Sequence, residues 1–144
     1  MRLPRNTTIL IADGGGALFY RNAGDADHVL LDLIESAGNE TGPARELGRD
    51  RAGRFTTPNG GSAAVEIADR HVAQEARFAA YVAKRADAVI GAKSGRLVVL
   101  APPKFLGQLR RFFSSRLQDR LLASMPLDLR NHPTCAIERA LRAA

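Results

Sequence analysis

Between Val65 and Ile90 the apolar residues Val65, Ala68, Val72, Ala76, Ala79, Ala83, Ala86 and Ile90 recur at intervals of three or four. Only a helix turning once per 3.6 residues brings such a set onto one face, so the fold must supply a surface to cover it. Ser62 stands where a side chain caps a helix start, and Glu66 and Asp69 suit the positive end of the dipole. Gly91 to Gly95 ends the pattern. Arg96-Leu97-Val98-Val99-Leu100-Ala101 follows with almost no polar alternation, the mark of a strand covered on both faces and therefore central in its sheet.

The remaining elements arrange themselves around this pair. Thr7 to Ala12 is β-branched and apolar and stops at Asp13-Gly14-Gly15-Gly16, whose glycines supply the positive φ angles of a tight turn. Ala17 to Arg21 returns, and Val29 to Ile34 makes a third strand. Residues 37–61 lose periodicity and read as a long glycine- and arginine-rich loop. Beyond the apolar strand, Pro102-Pro103 opens a second helix running to about Gln118 through Phe105, Leu109, Phe112 and Leu117. Leu121 to Leu129 holds a fifth strand, placed at a sheet edge by Pro126, and Thr134 to Ala144 is a closing helix. The order β-β-β-α-β-α-β-α, an antiparallel meander plus two parallel strands, predicts an α/β layered sheet of ribonuclease-H-like type. A length of 144 residues suits one domain spanning 1–144.

Apolar residues make up 45% and charged ones 25%, the balance of a globular chain, and no apolar run approaches the ~20 residues of a membrane span. No secretory apolar region follows the basic first residues, and Cys135 has no second cysteine to pair with, so a reducing, cytoplasmic setting is expected. The net charge of +6 is uneven. Residues 1–72 carry 8 basic against 10 acidic side chains, and residues 73–144 carry 13 against 5. Such a basic half fits an anionic partner, with nucleic acid the commonest, although 18 Arg against 3 Lys also fits a compositional bias of the genome.

Asp13 ends the first strand, where nucleases of this architecture keep a metal-binding carboxylate, but the end of the fourth strand, Leu100-Ala101-Pro102-Pro103, offers no acid to complete a two-metal site. The Asp13 turn also has the look of a phosphate-holding hairpin; with no second lobe to close over a nucleotide, a plain turn is the better reading. Gly91-Ala92-Lys93-Ser94-Gly95 lacks the spacing of a phosphate loop and reads as a helix end. His28, His71 and His132 share no metal-ligand spacing, and neither a metal nor a cofactor is expected. The segment Gly48 to Ser62 is richer. It carries Arg49, Arg51, Arg54 and Phe55, and it brings Gly60-Gly61 to the start of the longest helix, where free amides favour anions. The competing reading is a solvated loop.

Three stretches carry a resemblance. Ile9 to Ala17, Leu100 to Arg110 (Leu-Ala-Pro-Pro-Lys-Phe-Leu-Gly-Gln-Leu-Arg) and Leu127 to His132 resemble the signatures of the bacterial host-attachment protein family, over nearly the whole chain. That family is related to the central domain of archaeal and eukaryotic class-1 peptide release factors, which has the layered arrangement argued above. In that domain a Gly-Gly-Gln loop before the long helix promotes hydrolysis of peptidyl-tRNA. The resemblance sets Gly60-Gly61-Ser62 at the corresponding catalytic position, with Ser62 in place of glutamine. It sets Arg54 among the upstream basic residues and Arg77-Phe78 further along the helix.

The expectation is a protein acting on tRNA or the ribosome, with peptidyl-tRNA hydrolysis or rescue as the activity if it is an enzyme. Arg49, Arg51, Arg54, Lys104, Arg110 and Arg111 would meet RNA phosphate. The alternative is a non-catalytic interaction scaffold with an indirect role in attachment to host cells. The strand edge near Val29 to Ile34 could pair between subunits and give a homo-oligomer.

Overall fold

Alternation of side chains along extended backbone gives each strand two faces, and here both are apolar where the sheet is thickest. The structure, a computed structural model, describes residues 1–39, 60–91 and 95–144, with the backbone alone for 60–69. Strand β1 (Thr8–Asp13) and β2 (Gly16–Asn22) form a hairpin, and β3 (Leu31–Gly38) pairs antiparallel with β2. Helix α1 (Gly60–Ile90) leads to β4 (Leu97–Leu100), which lies parallel to β1. Helices α2 (Pro103–Phe112) and α3 (Ser115–Arg120) lead to β5 (Leu121–Met125), parallel to β4, and α4 (Thr134–Ala143) closes the chain. The five-stranded mixed sheet runs β3-β2-β1-β4-β5. The predicted meander and parallel additions are present, β5 is an edge strand, and the central position belongs to β1 rather than β4.

Leu10, Ala12, Leu97 and Val99 join one apolar cluster with Phe78, Val82, Leu106 and Leu109 of α1 and α2. Their neighbours Ile9, Ile11, Val98 and Leu100 join another with Leu3, Ile137 and Leu141. A residue-by-residue alternation therefore sandwiches β1 and β4 between helices, which is why β4 lacks polar alternation.

Several boundaries differ from the sequence expectation. The second helix is two helices: Phe113 is extended (φ −70°, ψ 127°), and Ser114 caps α3 by accepting from Leu117 N at 3.1 Å while its hydroxyl donates to Asp87 Oδ1 at 3.1 Å. A serine that bonds locally competes with the helical ladder. The third strand starts at Leu31 because buried Asn22 closes the preceding loop. Its Oδ1 accepts from Gly24 N and Leu30 N, both at 3.0 Å, and its Nδ2 donates to Leu3 O at 3.0 Å. Gly24 sits where a Cβ would lie 1.9 Å from His28 O. Helix α1 begins at Gly60, so Ser62 lies inside the first turn and the glycines do not precede the helix. Of the predicted stripe Ala79, Ala83, Ala86 and Ile90 are buried, but Phe78 and Val82 are buried beside them, and Val72 is 48% exposed. Gly91 ends the helix with φ +65°.

Candidate functional site

β1, β4 and β5 are parallel, so their ends at Asp13, Leu100 and Met125 share one edge of the sheet. All three stretches singled out in the sequence meet there. Arg130, from the segment after β5, donates from Nε to Asp13 Oδ1 at 2.7 Å. The same oxygen accepts from Gly15 N at 2.8 Å and Gly16 N at 3.0 Å. Asn39 clamps the turn from the other side, donating from Nδ2 to Gly14 O at 2.9 Å and from its amide to Gly15 O at 3.1 Å.

The turn corrects one expectation. Among the described residues only Gly91 among glycines has a positive φ, so Gly14, Gly15 and Gly16 are not required by backbone handedness. Their neighbours are close, but only Gly16 has backbone among them. A Cβ on Gly14 would lie 2.9 Å from Glu75 Oε1, and one on Gly16 would lie 2.8 Å from an Arg130 nitrogen and 3.2 Å from Ala37 O. The amides that a phosphate hairpin would offer to a ligand are given to Asp13 instead, which supports the plain-turn reading. Among the described residues no group of three or more His, Cys, Asp or Glu could hold a metal ion.

Glu75 marks where α1 passes the Asp13 turn. The chain leaves β3 at the edge shared with Asp13 and enters β4 at the opposite one, so α1 runs back along the sheet. Glu75 is level with Gly14, and the fifteen residues before it carry the helix start about 22 Å along its axis from that point. Gly60 and Gly61 stand in this first turn, whose backbone N–H groups have no partner within the helix, and no acidic residue occupies it. Arg49, Arg51 and Arg54 lie outside the described residues, as does most of the predicted 37–61 loop; its first residues, Ala37 and Gly38, belong to β3.

Of the other predicted cations, Lys104 and Arg111 are exposed two turns apart on α2, opposite buried Phe105, Leu106 and Leu109. Arg110, also exposed, donates to Ser124 Oγ and so faces β5. Between the end of β3 and α1 a cavity of about 570 Å³ is lined by Asn39, Gln74, Arg77, Phe78 and Tyr81. Half-exposed Tyr81 stacks with Phe78 at a centroid distance of 6.3 Å. Below it Arg85 donates from Nε and Nη2 to the two oxygens of Glu35 at 2.7 and 2.6 Å, and this hydrogen bonding holds the Glu35 carboxyl below its ordinary range. Sequence reasoning gave no role to Arg130, Glu75, Asn39 or Tyr81. Only Arg130 carried a signal, its place in the Leu127 to His132 stretch.

A family model described as bacterial archaeo-eukaryotic release factor family 12 matches residues 6–141. No curated protein matches the chain.

Proposed function

This chain belongs to bacterial archaeo-eukaryotic release factor family 12, a translation-related family, and from that premise we propose that it is a ribonuclease-H-like domain working on tRNA or the ribosome. The observation that carries the reading is the reach of α1. A glycine pair in the first turn of a 31-residue helix, about 22 Å along the axis from the level of Gly14, offers bare amides and the positive end of a dipole to an RNA phosphate or acceptor end. Arg49, Arg51 and Arg54 precede this tip in sequence. Lys104, Arg110 and Arg111 add sequence-independent attraction, and Tyr81 with Arg77 supplies a surface on which a base can stack.

In this reading the finer activity is hydrolysis of peptidyl-tRNA, with Gly60 and Gly61 admitting the acceptor end and their amides ordering the attacking water. One observation favours a second reading. Ser62 stands where the release-factor resemblance sets a glutamine, and a hydroxyl in a helical first turn does not replace a carboxamide. The same surface then serves a non-catalytic scaffold, with any part in attachment to host cells indirect.

Two measurements test this. Binding of purified protein to deacylated tRNA and to ribosomes, titrated with salt, is expected to weaken steeply as salt rises; absence of binding near physiological ionic strength overturns the RNA role. Hydrolysis of peptidyl-tRNA by the native chain, abolished in Arg54→Ala and Gly61→Ala, is the expected result for the enzyme. Binding without turnover selects the scaffold.

A further inference from the structure

At the opposite edge of the sheet, where β1 and β4 begin, lies a concavity of about 710 Å³ lined by Pro4, Arg5, Thr8, Arg21, Ile90 and Arg96 among others. It is one strand length, about 20 Å, from the Asp13 turn. Three arginines reach it from three separate places: the N-terminal segment, the end of β2 and the residue before β4. None of their guanidiniums has a hydrogen bond or ion pair with another described residue. Asp32 opposes Arg21 across β2 and β3 but forms no salt bridge with it.

We propose that this concavity binds a phosphate-bearing small molecule of about nucleotide size. Its volume lies within the ~300–1,000 Å³ range of small-molecule sites. Three arginines lining one concavity suit a multiply charged anion whose oxygens accept paired N–H groups. Pro4, Val89 and Ile90 give an apolar wall for the uncharged part. Asn6, the one described non-glycine residue with positive φ (69°), holds the Pro4 to Thr7 turn on the rim, with Thr7 Oγ1 donating to Pro4 O at 2.7 Å. The last turn of α1 opposes an anion here with about half a negative charge, less than the three positive charges facing it. The site is separate from the surface proposed for tRNA, so its failure leaves that reading untouched.

Isothermal titration calorimetry at low ionic strength tests the proposal with inorganic pyrophosphate, ADP and a short single-stranded RNA as probes. The expected result is one pyrophosphate site, weakened about tenfold in each of Arg21→Gln and Arg96→Gln and unchanged in the exposed control Arg139→Gln, with circular dichroism unaltered. ADP bound with the same dependence identifies a nucleotide; pyrophosphate bound without ADP identifies a simpler phosphate ester or anion. No pyrophosphate binding at about 1 mM, or binding indifferent to both substitutions, overturns the proposal. So does RNA binding that needs Arg21 and Arg96 while neither small probe binds.

Discussion

Arg130 Nε lies 2.7 Å from Asp13 Oδ1, joining residues 117 apart in the chain and locking the glycine turn at the edge of the sheet. The carboxylate also accepts the amides of Gly15 and Gly16, so it is the hub of the turn and Arg130 is one of three groups that meet on it. Removing the hub is therefore expected to cost more than removing the spoke. Asp13→Ala should destabilise by about 2–3 kcal/mol and Arg130→Ala by about 1 kcal/mol, both groups being partly solvated, with Asp13→Asn between them because its amide oxygen still accepts. Urea midpoints at constant slope check this order.

Glu35 and Arg85 tie the edge strand β3 to α1 through two hydrogen bonds. The guanidinium lowers the carboxyl's pKa from 4.5 in the folded chain. A depressed folded value means that the pair's stabilisation is complete above 4.5 and is lost as pH falls through the lower folded value. Thermal denaturation from pH 7 to pH 3 should therefore fall less steeply in Arg85→Gln than in the native chain. Parallel profiles would show that the pair does not contribute.

Asn22 is fully buried, and both ends of its amide are engaged. Asn22→Ala leaves Leu3 O and the Gly24 and Leu30 amides without their partner, and about 2–4 kcal/mol of stability should disappear. Hydrogen exchange at Gly24 and Leu30 is expected to accelerate more than exchange in α1.

Phe78 and Val72 test how far the core reaches along α1. Phe78→Ala opens a cavity between the helix and the sheet and should cost about 3–5 kcal/mol. Val72→Ala, at a site half exposed to solvent, should change stability by less than about 0.5 kcal/mol. Equal losses would mean that the helix is covered further toward its start.

Lys104 and Arg111 share the solvent face of α2. If they meet RNA phosphates, Lys104→Gln and Arg111→Gln should each lower the slope of log affinity against log salt for tRNA by roughly one. An unchanged slope in both variants removes α2 from the contact surface.

Much of the architecture was legible in local pattern. The intervals of α1, the unbroken apolar run of β4 and the proline at the start of α2 each reflect geometry that repeats or ends within a few residues. Where the reading erred, the cause was a distant neighbour. Val72 belongs to the helical stripe by spacing, yet α1 outruns the sheet that covers its later turns. The glycines after Asp13 suggested a requirement for positive φ, whereas none of the three has one and the close neighbours there, Glu75, Arg130 and Ala37, come from distant parts of the chain.

The sequence by itself determined the succession of elements, the alternation that buries both faces of β1 and β4, and the uneven placing of charge, because hydrophobic periodicity is written directly in residue spacing. Only the tertiary structure decided which charges pair and which stand alone. Arg130 finds Asp13 and Arg85 finds Glu35, while Arg5, Arg21 and Arg96 line one concavity and form no salt bridge with any described residue, although Asp32 stands across from Arg21. That outcome depends on where strands and helices cross in space, and separation along the chain carries no record of it.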